Sequence, residues 1–321
     1  MKVAELLERR RGNWVELERL CDEVQAGRRP SAETVTRFAN LYRAVCADLA
    51  LADSNQLPPN TVRYLHRLVG RAHNCLYRTS KFQFDRWMRL LLVDVPQQIF
   101  QDRCVQVKFL LFWGTFVLSA VLAATPDRWP NYCETVMGAA MIEQLESSFA
   151  KPLDGLSIEM NMQRSAFYIQ HNTSIGLICF ATGILIIPGI METIWEAAVL
   201  GASFGYMAQP GQSAGDNFYE FVTAHAPFEL TAIVLAAGAG LRLGMGWVRT
   251  DGLSRVDALC KTGWETMPVM GASMALFFLA ALTEAFVSPF PLPMIVKGAI
   301  ATFCSGLLMF YFVVLGFPRR K

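Results

Sequence analysis

Two residues one helical turn apart, His225 and Glu229, offer the first chemistry in this chain. They open the stretch HAPFELTAIVLAAGAGLRLGMGW, which runs from His225 to Trp247 and carries Arg242 near its far end. An imidazole and a carboxylate at positions i and i+4 share one helix face, so the pair has the makings of a metal or proton site. The same residues also admit a plainer role. Pro227 suits the first position of a helix, and a carboxylate in the first turn is stabilised by the helix dipole. A zinc site needs at least three protein ligands, and His171 is the only other histidine in the apolar part of the chain. No metal or other cofactor is therefore expected, and His225 and Glu229 are read first as structural or gating residues, then as contacts to a partner or ligand.

Other ionisable residues lie in apolar surroundings, where each is costly and marks a possible function. Glu192 and Glu196 are one turn apart, Glu284 sits near the end of a later apolar stretch, and Lys297 near the start of the next. A lysine there can reach the interface along its own stem, or pair with Glu284 across the short proline-rich turn. Gly201 to Gly205 read GASFG, which fits the hydrolase pattern G-x-S-x-G. That pattern needs a strand-to-helix elbow, whereas this stretch reads as an apolar helix in which Gly201 and Gly205 give the G-x-x-x-G packing motif. A second GAS triplet at Gly271 to Ser273 shows how readily this composition produces the match. No P-loop, dinucleotide fingerprint or H-E-x-x-H motif occurs. The chain is expected to have no catalytic residue, with an intramembrane hydrolase built on Ser203 as the remote alternative.

The elements that must position these residues are long apolar helices. Of the 321 residues 53% are hydrophobic and 17% charged, more apolar than an average soluble domain. Crossing about 30 Å of hydrocarbon takes roughly 20 residues, and six segments approach that length: Val107 to Thr125, Asn172 to Ile187, Met191 to Ala208, Ala226 to Trp247, Pro268 to Ser288 and Met294 to Leu315. Only Pro188 and Gly189 break the second from the third, so 172–208 reads either as two spans or as one re-entrant hairpin. Ala232, Ala236, Gly240 and Gly244 recur every four residues, a small-residue ladder that lets helix backbones approach closely in lipid. The fold class expected is an all-α polytopic membrane bundle preceded by a helical domain.

That domain is placed at residues 1–105, which hold 17 Lys and Arg against 12 Asp and Glu, a net of +5. Helices are predicted over residues 4–25, 31–53, about 60–77 and from about Gln83 onward, with apolar stripes such as Leu6, Leu7, Trp14, Leu17 and Leu20, then Phe38, Leu41 and Val45. Arg63, Arg67, Arg71, Arg78, Arg86 and Arg89 make a basic surface, better suited to an anionic leaflet or a protein than to nucleic acid, since no nucleic-acid-binding signature accompanies it. Met1 to Asn13 lacks an apolar centre, so no cleavable signal is expected. Basic residues cluster in 1–105, at Arg249, Arg255 and Lys261, and in the tail 318–321, whereas the intervening loops are acidic. By the positive-inside rule both termini are cytoplasmic. The segment 127–170 is predicted to hold an interfacial helix with Met141, Ile142, Leu145 and Phe149 on one face. The eight cysteines show no paired spacing and are expected to be free.

The pattern His-x-x-x-Glu-Leu-x-Ala-Ile followed by Gly-x-Gly-Leu-x-Leu-Gly resembles the stage II sporulation protein M family. FYIQHNTSIGLICFATGIL and LYRAVCADLALADSNQLPPNTVRYLHRLVGRAHNCLYR extend the likeness from about Trp14 to Gly246. Asn172, Gly183, Gly201, Gly205, His225, Glu229, Leu230, Gly240 and Gly244 fit the family pattern. His171 stands where the family pairs asparagines, Glu196-Ala197 where it carries Asn-Gly, and Ala226 where a glycine follows the histidine. The resemblance implies a multi-span bacterial inner-membrane protein acting as a scaffold. Namesake members work with cell-wall-degrading enzymes, and relatives outside sporulation are often encoded beside MoxR-type ATPases. The expectation is a non-enzymatic accessory protein of a membrane or envelope complex, homodimeric and bound to lipid, with residues 106–317 as its transmembrane domain. The alternative is a transporter or channel lined by Glu192, Glu196, His225 and Glu229, with His171, Asn172 and Arg242 as further candidate positions.

Overall fold

A computed structural model describes residues 3–26, 31–76, 84–153, 155 and 157–318. The side chains of Leu6 and Leu7, Arg78 of the basic surface, and residues 319–321 of the basic tail lie outside the described residues. All described secondary structure is helical. Two compact units separate at Gln83 and Phe84, so the boundary falls earlier than residue 105.

In the first unit, α1 (Val3–Gln25), α2 (Ala32–Ser54) and α3 (Pro59–Leu76) enclose one core. Ser31 caps α2 by accepting from the Thr34 amide at 3.2 Å. Trp14, Leu17, Leu20, Phe38, Leu41, Val45, Leu65 and Leu68 bury the stripes that periodicity predicts. One acid lies within this core. Asp48 accepts from Arg10 Nη1 at 2.6 Å and from Trp14 Nε1 at 2.9 Å, so its buried charge is paired and hydrogen-bonded. Glu16 meets Arg37 through two bonds at 2.9 and 2.6 Å, which hold its carboxyl below the usual range. Arg71, counted above with the basic surface, instead pairs with Glu18 and Asp22.

The second unit begins with α4 (Phe84–Arg89), which passes through a wider turn at Leu90–Asp94 into α5 (Val95–Gln101). Val95 and Ile99 pack into the main core of this unit, which is why these residues belong to it and not to the first. Then come α6 (Arg103–Ala124), α7 (Tyr132–Phe149), α8 (Ile158–Gly183), α9 (Ile187–Met207), α10 (Gly215–Val222), α11 (Ala226–Val248), α12 (Arg255–Phe286) and α13 (Met294–Met309). Each of the six apolar segments is a helix. By length and composition α6, α11, α12 and the stretch Met294–Val314 suffice to cross a membrane.

α11 is the axis of this unit. From Ala232 to Leu241 every residue is buried, as expected of a helix that is apolar all round. α12 runs antiparallel to it, so Gly246 faces Thr262 while Ser273 Oγ donates to Ala232 O at 2.7 Å. α8 runs parallel to α11, with Gly183 beside Gly240. α9 runs parallel to α6: Lys108 Nζ bonds Gly189 O at 2.6 Å, and farther along Ser119 Oγ bonds Ala198 O at 2.6 Å. At 26 and 21 residues, α8 and α9 are about 39 and 31 Å long. Their turn at 184–186 packs against Gly244, near the end of α11. A half-depth hairpin would be far shorter, so 172–208 folds as two long helices.

α7 contacts the bundle rather than standing apart. Gly138, at φ 77°, kinks it, and Ile142 and Leu145 pack with Ala123 and Ala202. Met141, expected on the apolar face, is exposed. Glu146 accepts from Tyr206 Oη at 2.6 Å and Gln212 Nε2 at 3.0 Å, and these bonds hold its carboxyl below the usual range. The described cysteines are all free thiols.

Candidate functional site

The residues with the most chemical potential converge where α8, α11 and α12 meet, at the His225 end of α11. His225 immediately precedes α11 and is 4% exposed, with Glu229 one turn on. Its Nε2 stands 3.5 Å from Glu229 Oε2. The antiparallel course of α12 carries Glu284 to the same place, and one ligand atom from each of His225, Glu229 and Glu284 lies within 4.8 Å of the others. Asn172, on α8 and 1% exposed, donates through Nδ2 to Glu284 Oε2 at 3.4 Å.

A second layer orients the histidine. His225 Nδ1 and Ser288 Oγ share a hydrogen bond of 2.8 Å, which fixes the ring and turns Nε2 toward the carboxylates. Phe221 packs edge-on against the imidazole. Lys297, fully buried at the start of α13, donates to Ser288 O at 2.9 Å and to Glu220 Oε1 of α10 at 3.3 Å. The expected pairing of Lys297 with Glu284 is therefore not formed, because Glu220 takes the ammonium. Among the described residues, neither Glu229 nor Glu284 pairs with a lysine or arginine.

The other predicted positions fall elsewhere. Arg242 sits nearly four turns further along α11, where it bonds Asp102 at 3.0 Å and Glu265 at 3.3 Å and so ties the start of α6 to α11 and α12. His171 is exposed and stacks on Phe167, since adjacent residues on a helix point about 100° apart and Asn172 takes the inward direction. Glu192 and Glu196 share a face of α9, and both are partly exposed. Ser203 lies inside α9 and donates to Val199 O at 2.9 Å. Gly201 and Gly205 press against the carbonyls of Phe116 and Ala120 on α6. Gly240 and Gly244 press against the end of α8, and Ala236 is fully buried.

Sequence reasoning missed Lys108 and Asp102. Lys108 is 1% exposed and has no carboxylate partner among the described residues; besides Gly189 O it donates to Thr193 Oγ1 at 2.7 Å. It lies just inside the first apolar segment, where a basic residue reads as a flank. Asp102 accepts from the Cys104 amide at 2.8 Å, the aspartate cap that marks the start of α6.

The stage II sporulation protein M family model matches residues 108–289, a stretch that holds Asn172, His225, Glu229, Glu284 and Ser288. The chain belongs to the stage II sporulation protein M family. Residues 4–78, nearly the whole of the first unit, match a domain of unknown function, DUF8413. No curated protein and no solved structure matches the chain. The family match ends before Lys297, so the cluster of His225, Glu229 and Glu284 lies inside the family region while the lysine that buttresses it lies beyond.

Proposed function

We propose that this stage II sporulation protein M family member is a non-enzymatic scaffold of a bacterial inner-membrane or cell-envelope complex. The observation that carries the reading is the backbone-to-backbone packing of two parallel helix pairs. Gly201 and Gly205 set α9 directly on α6, and Gly183, Gly240 and Gly244 set α8 on α11. Seams of this kind gain their stability from close packing in lipid and leave little freedom for helices to slide, which suits a part that holds others in place. A separately packed helical unit in the same chain supplies a second docking element. On this reading both termini are cytoplasmic, the chain forms a homodimer, and the first unit meets a soluble partner such as a MoxR-type ATPase rather than nucleic acid.

A conduit is the second reading, favoured by one specific observation. Glu192 and Glu196 lie one turn apart on α9, while Glu229 and Glu284 converge beside His225, and acids within apolar helices are typical of proton and ion pathways.

One experiment separates the two. The purified chain in liposomes, assayed for proton and cation flux, is expected to match empty vesicles. Flux above that level that Glu229→Gln abolishes would replace the scaffold with the conduit. Reporter fusions at each terminus and mass measurement of the detergent-solubilised protein test topology and dimerisation in the same preparation.

A further inference from the structure

We infer that His225, Glu229 and Glu284 form a site for a divalent transition metal, with Zn2+ as the best fit. The inference concerns a ligand of the bundle and goes beyond the scaffold reading.

The geometry starts from an unsatisfied atom. His225 is 4% exposed, and its Nδ1 is committed to Ser288 Oγ at 2.8 Å. Its Nε2 faces Glu229 Oε2 at 3.5 Å, beyond the 2.7–3.2 Å of a good N–H···O bond. The imidazole thus points a buried nitrogen into a group of carboxylates without closing a hydrogen bond to them. Among the described residues Glu284 has only the long contact from Asn172 at 3.4 Å, and Glu229 accepts no hydrogen bond beyond its approach to His225.

The spacing fits an ion between these atoms. Zinc bonds His nitrogen and carboxylate oxygen at about 2.0–2.2 Å in a tetrahedron, which sets neighbouring ligand atoms about 3.4 Å apart. The observed His225–Glu229 separation is 3.5 Å, and all three ligand atoms lie within 4.8 Å of one another. Closing the wider gap takes a small rotation of a carboxylate, not a movement of helices.

Charge and the outer shell agree with this assignment. Among the described residues two carboxylates and an imidazole converge without a lysine or arginine, because Lys297 is held by Glu220 and Ser288 O. A divalent cation would balance both carboxylates. One nitrogen and two oxygens form a borderline ligand set that suits zinc better than calcium or magnesium, which favour oxygen alone. The Nδ1–Ser288 bond is the outer contact that metal-bound histidines usually make, and the Asn172 amide does the same for Glu284. Three protein ligands leave a fourth position for water. The site joins α11 to α12, with Asn172 bringing in α8.

The test uses the full chain in detergent, stripped with a chelator, reloaded with Zn2+ and dialysed, with metal counted by mass spectrometry. About one Zn2+ per chain is expected, and loading with Co2+ should give the visible absorption of a low-symmetry cobalt site. His225→Ala, Glu229→Gln and Glu284→Gln are each expected to weaken Zn2+ binding by more than 100-fold, and Ser288→Ala by about 10–100-fold. Glu229→His replaces one ligand by another and should keep the metal. This variant separates lost ligation from lost folding. Glu192→Gln should bind as the parent does. Less than a tenth of an equivalent in the parent chain with Zn2+ in excess would overturn the assignment, as would equal binding by the parent, Glu229→Gln and Glu284→Gln. Either result would mean that the cluster holds only protons or water.

Discussion

Gly183 and Gly240 meet backbone to backbone: a Cβ built on Gly183 would fall inside the contact radius of the Gly240 main chain, and one on Gly240 would reach the Phe180 carbonyl at 2.5 Å. The facing atoms are main chain in both helices, so no rotamer change can relieve the overlap. Gly183→Ala and Gly240→Ala are each expected to destabilise the bundle by about 1–3 kcal/mol or more. Gly114 and Gly271, in α6 and α12, have open space where a Cβ would go, so alanine there should be neutral or stabilising by up to about 1 kcal/mol. Thermal unfolding in one detergent checks all four, and an unchanged midpoint for the first two would show that the seam is looser than described.

Arg242 and Asp102 form the clamp at the other end of α11. Asp102 is buried, accepts from Arg242 and caps α6. Arg242→Met leaves its charge without the guanidinium and should cost about 3 kcal/mol, the low end for a broken buried pair because Arg242 is a third exposed. Asp102→Ala loses the cap as well. The double variant is expected to be more stable than the sum of the two single losses, and strict additivity in a double-mutant cycle would argue against the pairing.

Acid should loosen α7. Bonds from Tyr206 and Gln212 keep the Glu146 carboxyl below its ordinary range, so this contact stabilises the fold fully above the ordinary carboxylate pKa. Its contribution falls as pH drops through the depressed folded-state value. Hydrogen-exchange protection of residues 139–149, taken relative to the intrinsic rate at each pH, is expected to fall between about pH 5 and pH 3 more than elsewhere in the same unit. Glu146→Gln removes the titrating group and should abolish the difference.

Asp48 organises the core of the first unit. Asp48→Ala leaves Trp14 Nε1 without an acceptor and Arg10 without its partner, at an expected cost of about 1–3 kcal/mol. Tryptophan fluorescence during denaturation reads the loss. An unchanged midpoint would mean that water replaces the carboxylate freely.

Periodicity and apolar length made most helices of both units legible from the residues alone. Ser31 begins α2 where its side chain can cap, and the ladder Ala232, Ala236, Gly240, Gly244 lies at close helix contacts as its spacing requires. What stayed hidden was the pairing of helices. Glu284 lies 55 residues from Glu229, so only the antiparallel register of α12 on α11 joins them, and no local spacing encodes that register. For the same reason Lys297 was matched to the nearer acid in sequence, whereas α10 delivers Glu220 to it. His171 and Asn172 are adjacent, yet only one can point inward.

The parallel run of α9 beside α6 has a bearing on how the chain is made. Lys108 finds its hydrogen-bond acceptors at Gly189 and Thr193, 81 and 85 residues later. During synthesis α6 therefore reaches the membrane long before the helix that shields its ammonium group has left the ribosome. Until then the lysine must stay hydrated at the bilayer edge or in the insertion machinery, so α6 can settle to its final depth only once α9 arrives. Maturation of this protein is thus a late event in its own translation, and a chain arrested before Thr193 should leave its first apolar helix shallow and exposed to proteolysis.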